Sequence, residues 1–189
     1  MKANILIVGV GGQGTLLASR ILGALAAIKG SDCKLSEVHG MSQRGGSVVT
    51  HVKIAPTVTS PIIGLRDADI ILAFEELEAL RYTDFLRQGG TIVVNTQKIL
   101  PMPVITGARK YPENIIGELE KRAGKVIAVD ALSAAEKLGE LRAVNVVMLG
   151  TLARELGVAF EDIDAALRAT VKPKLYEINR RALECGYNA

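Results

Sequence analysis

The 189-residue sequence has no tryptophan, and phenylalanine and tyrosine together make up only 4% of it. With 49% hydrophobic residues and so few aromatics, the core must be built from aliphatic side chains and alanine, the composition of a sheet covered by helices on both faces. Cysteine occurs only at Cys33 and Cys185, too few for a disulfide framework and in no CxxC arrangement for metal or redox chemistry. No apolar run approaches the roughly 18 residues of a membrane span. The opening MKANILIVGV holds a short apolar run that ends in glycines without a small-residue cleavage site, so it does not read as a secretory leader. The net charge is only +3 and the basic residues are scattered, which removes the electrostatic footprint of a nucleic-acid binder. These absences leave a cytoplasmic chain with a single domain spanning 1–189, and no repeat or linker divides it.

What is present is an alternation of strands and helices. Residues 3–8, ANILIV, form an apolar run ending at Gly9, the pattern of a strand buried on both faces. A helix over about 13–29 follows, with Leu17, Ile21, Leu25 and Ile28 spaced to share one buried face and Gly30 as its C-terminal cap. Strands are expected at 33–38 and 47–54, and the short loop between them favours an antiparallel pair. A buried strand at 67–74 leads into a helix over 75–90, stopped by Gly89 and Gly90. After a strand at 91–95, the proline-rich stretch 96–113 reads as loop with at most one short strand. A last strand covers 125–130, and helices are expected at 131–139, 143–156, 160–170 and from Pro173 onward. The fold class is therefore α/β: a three-layer α/β/α domain with a mostly parallel, mixed sheet, a Rossmann-like start and a helical C-terminal part.

Gly9-Val10-Gly11-Gly12-Gln13-Gly14 satisfies G-x-G-x-x-G after a strand and at the opening of a helix. There, glycines permit a tight turn and bring an anion onto free amides at the positive helix end. The same glycines would also serve simply to let strand and helix pack closely. A dinucleotide reading needs an acid roughly 20 residues further on, and Glu37 stands in that neighbourhood. The sequence then continues as HGMSQRGGS, a glycine-rich loop where a dinucleotide fold would begin another crossover helix.

That loop supplies the second group of candidates: His39, Ser42, Gln43, Arg44, Gly45 and Gly46. An arginine followed by two glycines makes a cationic, amide-rich element suited to a phosphate or carboxylate. As a plain surface loop, the same residues would only turn the chain. His39 reads equally as a site residue and as a solvated one, because two histidines without a third ligand make no metal site. His51, inside a strand, reads as structural, and Met41 as a packing contact. Glu75 and Glu76, after a strand end, fit a site or the first turn of a helix, Asp130 at another strand end fits a site or a helix cap, and Asn95 and Asn145 are candidate polar contacts.

The glycine turn GVGGQG followed by EVHGMSQRGGSV resembles the gamma subunit or domain of the 2-oxoacid:ferredoxin oxidoreductases. The HGMSQRGG wording favours the small subunit of the indolepyruvate branch, and the likeness continues through DADIILAFEELEALRY to EINRRALECG. The resemblance implies a heteromeric enzyme that decarboxylates arylpyruvates oxidatively, transfers the acyl group to coenzyme A and reduces ferredoxin. It also implies that thiamine diphosphate, its divalent cation and the iron–sulfur clusters sit in a large partner subunit, with no cofactor in this chain. Consistent with this, the sequence lacks a cysteine set for a cluster. The remaining alternatives are a gamma subunit for pyruvate, 2-oxoglutarate or a branched-chain oxoacid, and a free-standing nucleotide-binding module.

Overall fold

Alternation within a strand that is apolar but for Asn4 decides the layering. In β1 (Ala3–Val10), Ile5 and Ile7 join one buried cluster while Leu6 and Val8 join another, so the strand needs cover on both faces. The structure, a computed structural model, describes residues 1–40 and 45–189. On the Ile5/Ile7 face lie α1 (Thr15–Ile28), α6 (Val144–Glu155), α7 (Phe160–Thr170) and α8 (Pro173–Tyr187). On the Leu6/Val8 face lie α2 (Glu76–Arg81) and α4 (Ile115–Glu120). Two short helices, α3 (Met102–Ile105) and α5 (Ala131–Lys137), complete the helical set among the described residues, apart from two single 3₁₀ turns.

The other strands are β2 (Asp32–His39), β3 (Ser47–Ala55), β4 (Ala68–Ala73), β5 (Leu86–Asn95) and β6 (Lys125–Val129). They form one sheet in the order β2-β3-β1-β4-β5-β6. β3 runs antiparallel to both β1 and β2, while β1, β4, β5 and β6 are mutually parallel, so the sheet is mixed and mostly parallel. This order departs from a dinucleotide fold at one place. There, the strand after the first helix lies beside β1; here β3 fills that slot and β2 is pushed to the edge, about 10 Å from β1 at a strand spacing of roughly 4.8 Å.

Three local expectations are corrected. The helix expected over 75–90 ends at Arg81, and Gly89 and Gly90 lie inside β5. Neither is a helix stop: Gly89 takes φ 72°, which glycine tolerates, and Gly90 is a close-approach position, where a Cβ would fall 3.0 Å from the Asp69 carbonyl oxygen and whose carbonyl accepts from the Gly124 amide at 2.9 Å. The 96–113 stretch holds the short helix α3 and no strand, because Pro101 and Pro103 occupy a first helical turn where a missing amide costs nothing. Finally, Ile28 is 46% exposed; the buried stripe of α1 is Ala18, Ile21, Leu22, Leu25 and Ala26, rotated away from the helix's last residue.

Candidate functional site

The glycine turn forms where β1 ends and α1 begins. Gly12 and Gly14 take φ of 106° and 84°, backbone that a side chain would strain, and Gly14 caps α1 from the left-handed region. Gln13 holds the turn in place. Its Oε1 accepts from the Val10 amide at 2.7 Å, and its Nε2 donates to the Phe74 carbonyl at 2.9 Å. Gly9 is enclosed, since a Cβ there would press on Gln13 and Phe74. The same Phe74 carbonyl accepts from Asn95 Nδ2 at 3.1 Å, and Asn95 Oδ1 accepts from the Ala131 amide at 3.2 Å. The turn is thereby tied to the C-terminal ends of β4 and β5, where ligands collect in open α/β sheets.

The two candidate loops meet. The Gly11 amide donates to the Gly46 carbonyl at 2.8 Å, and the Gly45 amide donates to the Gly11 carbonyl at 3.3 Å. Residues far apart in sequence therefore form one backbone-paired ridge, with Gly45 at φ 78°. His39 ends β2 in an exposed position, its Nδ1 3.1 Å from the Gly40 carbonyl oxygen. Ser42, Gln43 and Arg44, with Met41, lie outside the described residues.

A cleft flanks each side of the ridge. One, of about 390 Å³, runs past Gly11, Gly14, Thr15, Glu37 and His39. Glu37 Oε2 is engaged there by the hydroxyls of Thr15 and Thr50, each at 3.2 Å. The acid that marked the dinucleotide reading thus braces α1 against β3. The larger cleft, of about 580 Å³, lies between the starts of α1 and α6, and Gln13, Gln97, Arg142 and Asn145 supply its polar edge. Asn145 is 4% exposed; its Nδ2 donates to the Gly14 carbonyl at 3.2 Å, while its buried Oδ1 has no partner among the described residues. Gln97 and Arg142 escaped sequence reasoning. Gln97 follows a strand end by two residues, a usable signal; Arg142 sits in a 3₁₀ turn with none.

The other candidates resolve into structural roles. His51 is buried, its Nδ1 accepting from the Ile63 amide at 3.1 Å, and burial with the charge of Lys53 lowers its pKa. Asp130 caps α5 through the Ser133 amide. Glu75 caps α2 through the Glu78 amide at 2.8 Å. Burial pushes the Cys33 thiol up to about 11, with Asp32 adding to the effect, which disfavours the nucleophilic thiolate at neutral pH. Among the described residues, no group of three His, Cys, Asp or Glu side chains is placed to hold a metal, and no helix is long and apolar enough to cross a membrane.

Glu78 ties the loop end to α2. It accepts from the Ser47 hydroxyl and from Arg81 Nε at 3.0 Å. Burial nevertheless raises its pKa, outweighing these partners. A raised acid destabilises the fold above its folded pKa and ceases to do so as pH falls towards its unfolded value. Glu78→Gln is therefore expected to be at least as stable as the parent at pH 7, with any advantage shrinking as pH approaches about 4.5. Urea titrations of both proteins at several pH values measure this, and an advantage that grows on acidification would contradict it.

A mixed six-stranded sheet with two glycine loops paired at its strand ends, flanked by open clefts, defines an α/β domain whose strand order differs from that of a dinucleotide fold. The sequence matches the family described as pyruvate ferredoxin/flavodoxin oxidoreductase over residues 4–189, and the chain belongs to that family. It is 45% identical to the indolepyruvate oxidoreductase subunit IorB of Archaeoglobus fulgidus, covering 100% of this chain and 95% of that one. It is 30% identical to the 2-oxoglutarate synthase subunit KorC of Methanothermobacter marburgensis, over 98% and 95% of the two chains. Among solved structures it is similar to the gamma subunit of a keto/oxoacid ferredoxin oxidoreductase from Geobacter sulfurreducens, with a TM-score of 0.73, 24% identity and coverage of 98% and 96%.

Proposed function

We propose that this chain is the small, cofactor-free subunit of a heteromeric thiamine-dependent 2-oxoacid:ferredoxin oxidoreductase that converts indolepyruvate and related arylpyruvates to aryl-acetyl-CoA. What carries the substrate assignment is the identity gap between relatives of nearly equal coverage: 45% to an indolepyruvate subunit against 30% to a 2-oxoglutarate one. With only two cysteines, the chain cannot itself ligate an iron–sulfur cluster through four thiolates. The large partner would hold thiamine diphosphate, its divalent cation and the clusters, which supply carbanion stabilisation and electron transfer to ferredoxin. The complex needs no membrane or nucleic acid, and works in the cytoplasm.

This subunit contributes positioning and electrostatics. The ridge of residues 9–14 and 45–46 faces the partner's active site, presenting the amides of the α1 start. Arg44, next to that ridge in sequence, meets an anionic group of coenzyme A or the substrate carboxylate. The test is to co-purify the chain with its partner and assay indolepyruvate, coenzyme A and ferredoxin together. A brown, thiamine-containing partner is expected, with turnover by the complex and none by the isolated chain. Arg44→Ala should lower kcat/KM by about ten- to a hundredfold; unchanged KM and turnover would remove the role given to the loop. Micromolar binding of NAD, FAD or ADP by a chain that retains no partner would point instead to a nucleotide-binding module.

A further inference from the structure

Between residues 96 and 112 the sequence TQKILPMPVITGARKYP has no acidic residue and three basic ones. Such a segment would be expected to pack its leucine, methionine and isoleucines inward. Instead Leu100, Met102 and Ile105 are 48%, 66% and 62% exposed. The excursion is nevertheless fixed. One carboxylate oxygen of Glu75, a residue only 1% exposed, accepts from the Ile99 amide at 3.2 Å and from the Tyr111 hydroxyl at 2.5 Å, fastening both ends of the segment to the start of α2. Within it, the Pro101 carbonyl accepts from the Val104 and Ile105 amides, and the Arg109 amide donates to the Pro103 carbonyl at 2.9 Å. Apolar side chains held outward on a hydrogen-bonded scaffold are pre-organised for a partner, because little ordering entropy remains to be lost on contact.

The surroundings say which partner. The segment starts at the larger cleft, which Gln97 and Ile99 line, so whatever closes over that cleft also meets Leu100 and α3. Arg109 and Lys110 are exposed beside the apolar residues and have no ion pair among the described residues. A second copy docked through the same segment would bring together two basic stretches that hold no acidic residue between 96 and 112, which is repulsive. We propose that residues 99–110 form the surface that docks onto the large subunit, with apolar pockets on that subunit receiving Leu100, Met102 and Ile105 and a rim of carboxylates facing Arg109 and Lys110. The proposal rests on reading the chain as a subunit of a heteromeric enzyme.

The experiment uses the chain co-expressed with its large subunit and measures the affinity of the pair. The double variant Met102→Glu/Ile105→Glu is expected to weaken assembly by about a hundredfold, while keeping the circular dichroism and melting temperature of the parent. Arg109→Glu/Lys110→Glu should weaken it about tenfold, less so at high salt. Leu65→Glu, equally exposed but on the 56–67 loop, should assemble normally. Parent-like assembly of the Met102→Glu/Ile105→Glu protein overturns the docking surface and leaves the subunit reading intact. Failure of the parent chain to hold any large subunit overturns both. Sedimentation of the isolated chain as a dimer that this variant abolishes, or its binding to phosphatidylcholine–phosphatidylserine vesicles in a way the variant loses, would likewise reassign the surface and sink the proposal.

Discussion

Gly186→Ala is expected to destabilise the protein by about 3 kcal/mol or more, the upper range for overpacking. For a chain of this length that corresponds to a fall in melting temperature of about 6–12 °C. α6 and α8 cross backbone to backbone. A Cβ on Gly186 would land on the Val147 carbonyl, within 2.7 Å of its carbon, and one on Gly150 would fall 2.7 Å from the Tyr187 amide nitrogen. These are backbone atoms, which cannot rotate aside as a side chain can, so the helices must separate. Separation stretches the buried bond from the Thr151 hydroxyl to the Gly186 carbonyl, now 2.9 Å. It also opens the core in which Val146, Leu149, Leu152 and Leu183 are buried. Differential scanning calorimetry measures the loss, and a shift below about 2 °C would mean that the crossing can relax at small cost.

Gly14→Ala should cost less stability but more function. The alanine must adopt φ 84° at the start of α1, and its Cβ would sit 3.1 Å from Asn145 Cγ with the amide nitrogen closer still. Strain and contact together are expected to cost about 2–3 kcal/mol. The displaced Asn145 amide would lose its bond to the Gly14 carbonyl, and the wall between the two clefts would thicken by a methyl group. Turnover by the assembled enzyme is expected to drop at least about tenfold, as for small misplacements at a catalytic site. Gly157→Ala separates the causes: it also has positive φ, 65°, but no atom within 4 Å of the added Cβ. It should lose about 1 kcal/mol with activity unchanged. Equal turnover in the Gly14→Ala and Gly157→Ala enzymes would show that the turn plays no part in catalysis.

The strands and the C-terminal helices were legible because each carries its own period. ANILIV is buried on both faces wherever it is placed, and the antiparallel β2–β3 pair follows from a loop too short for a crossover. The helix expected over 75–90 failed for a different reason. EELEALRY has helical preference, but glycine after it reads as a stop only if nothing else demands glycine there. The demand came from strands meeting and from one backbone angle: a Cβ on Gly90 would press on Leu86 and the Asp69 carbonyl, one on Gly124 would collide with the Gly89 backbone, and Gly89 itself takes φ 72°. Sequence distance hides such contacts.

The candidate site divides in the same way. Glu37 stood out as a ribose acid by spacing, and the insertion of β3 between β1 and β2 also makes it a brace between Thr15 and Thr50, a contact that spacing does not reveal. Glu75 looked like a first-turn helix residue or a site residue, and besides capping α2 it fixes the 99–111 segment from both ends. Asn145 was visible only as a polar residue in a helix; its unpartnered Oδ1 at the cleft follows from how α6 packs on the glycine turn.

By itself, the sequence determined the α/β class, the helix-opening glycine turn and the loop wording that carries the family. Those properties are local: they depend on periodicity, on glycine's freedom at φ above zero and on the order of side chains along the chain. Only the tertiary structure decided that the two glycine loops bond to one another through Gly11 and Gly46, that β3 displaces β2, and that an apolar segment is held outward beside the cleft. Each of these is a pairing between residues remote in sequence, fixed by strand order and by which buried polar groups find partners.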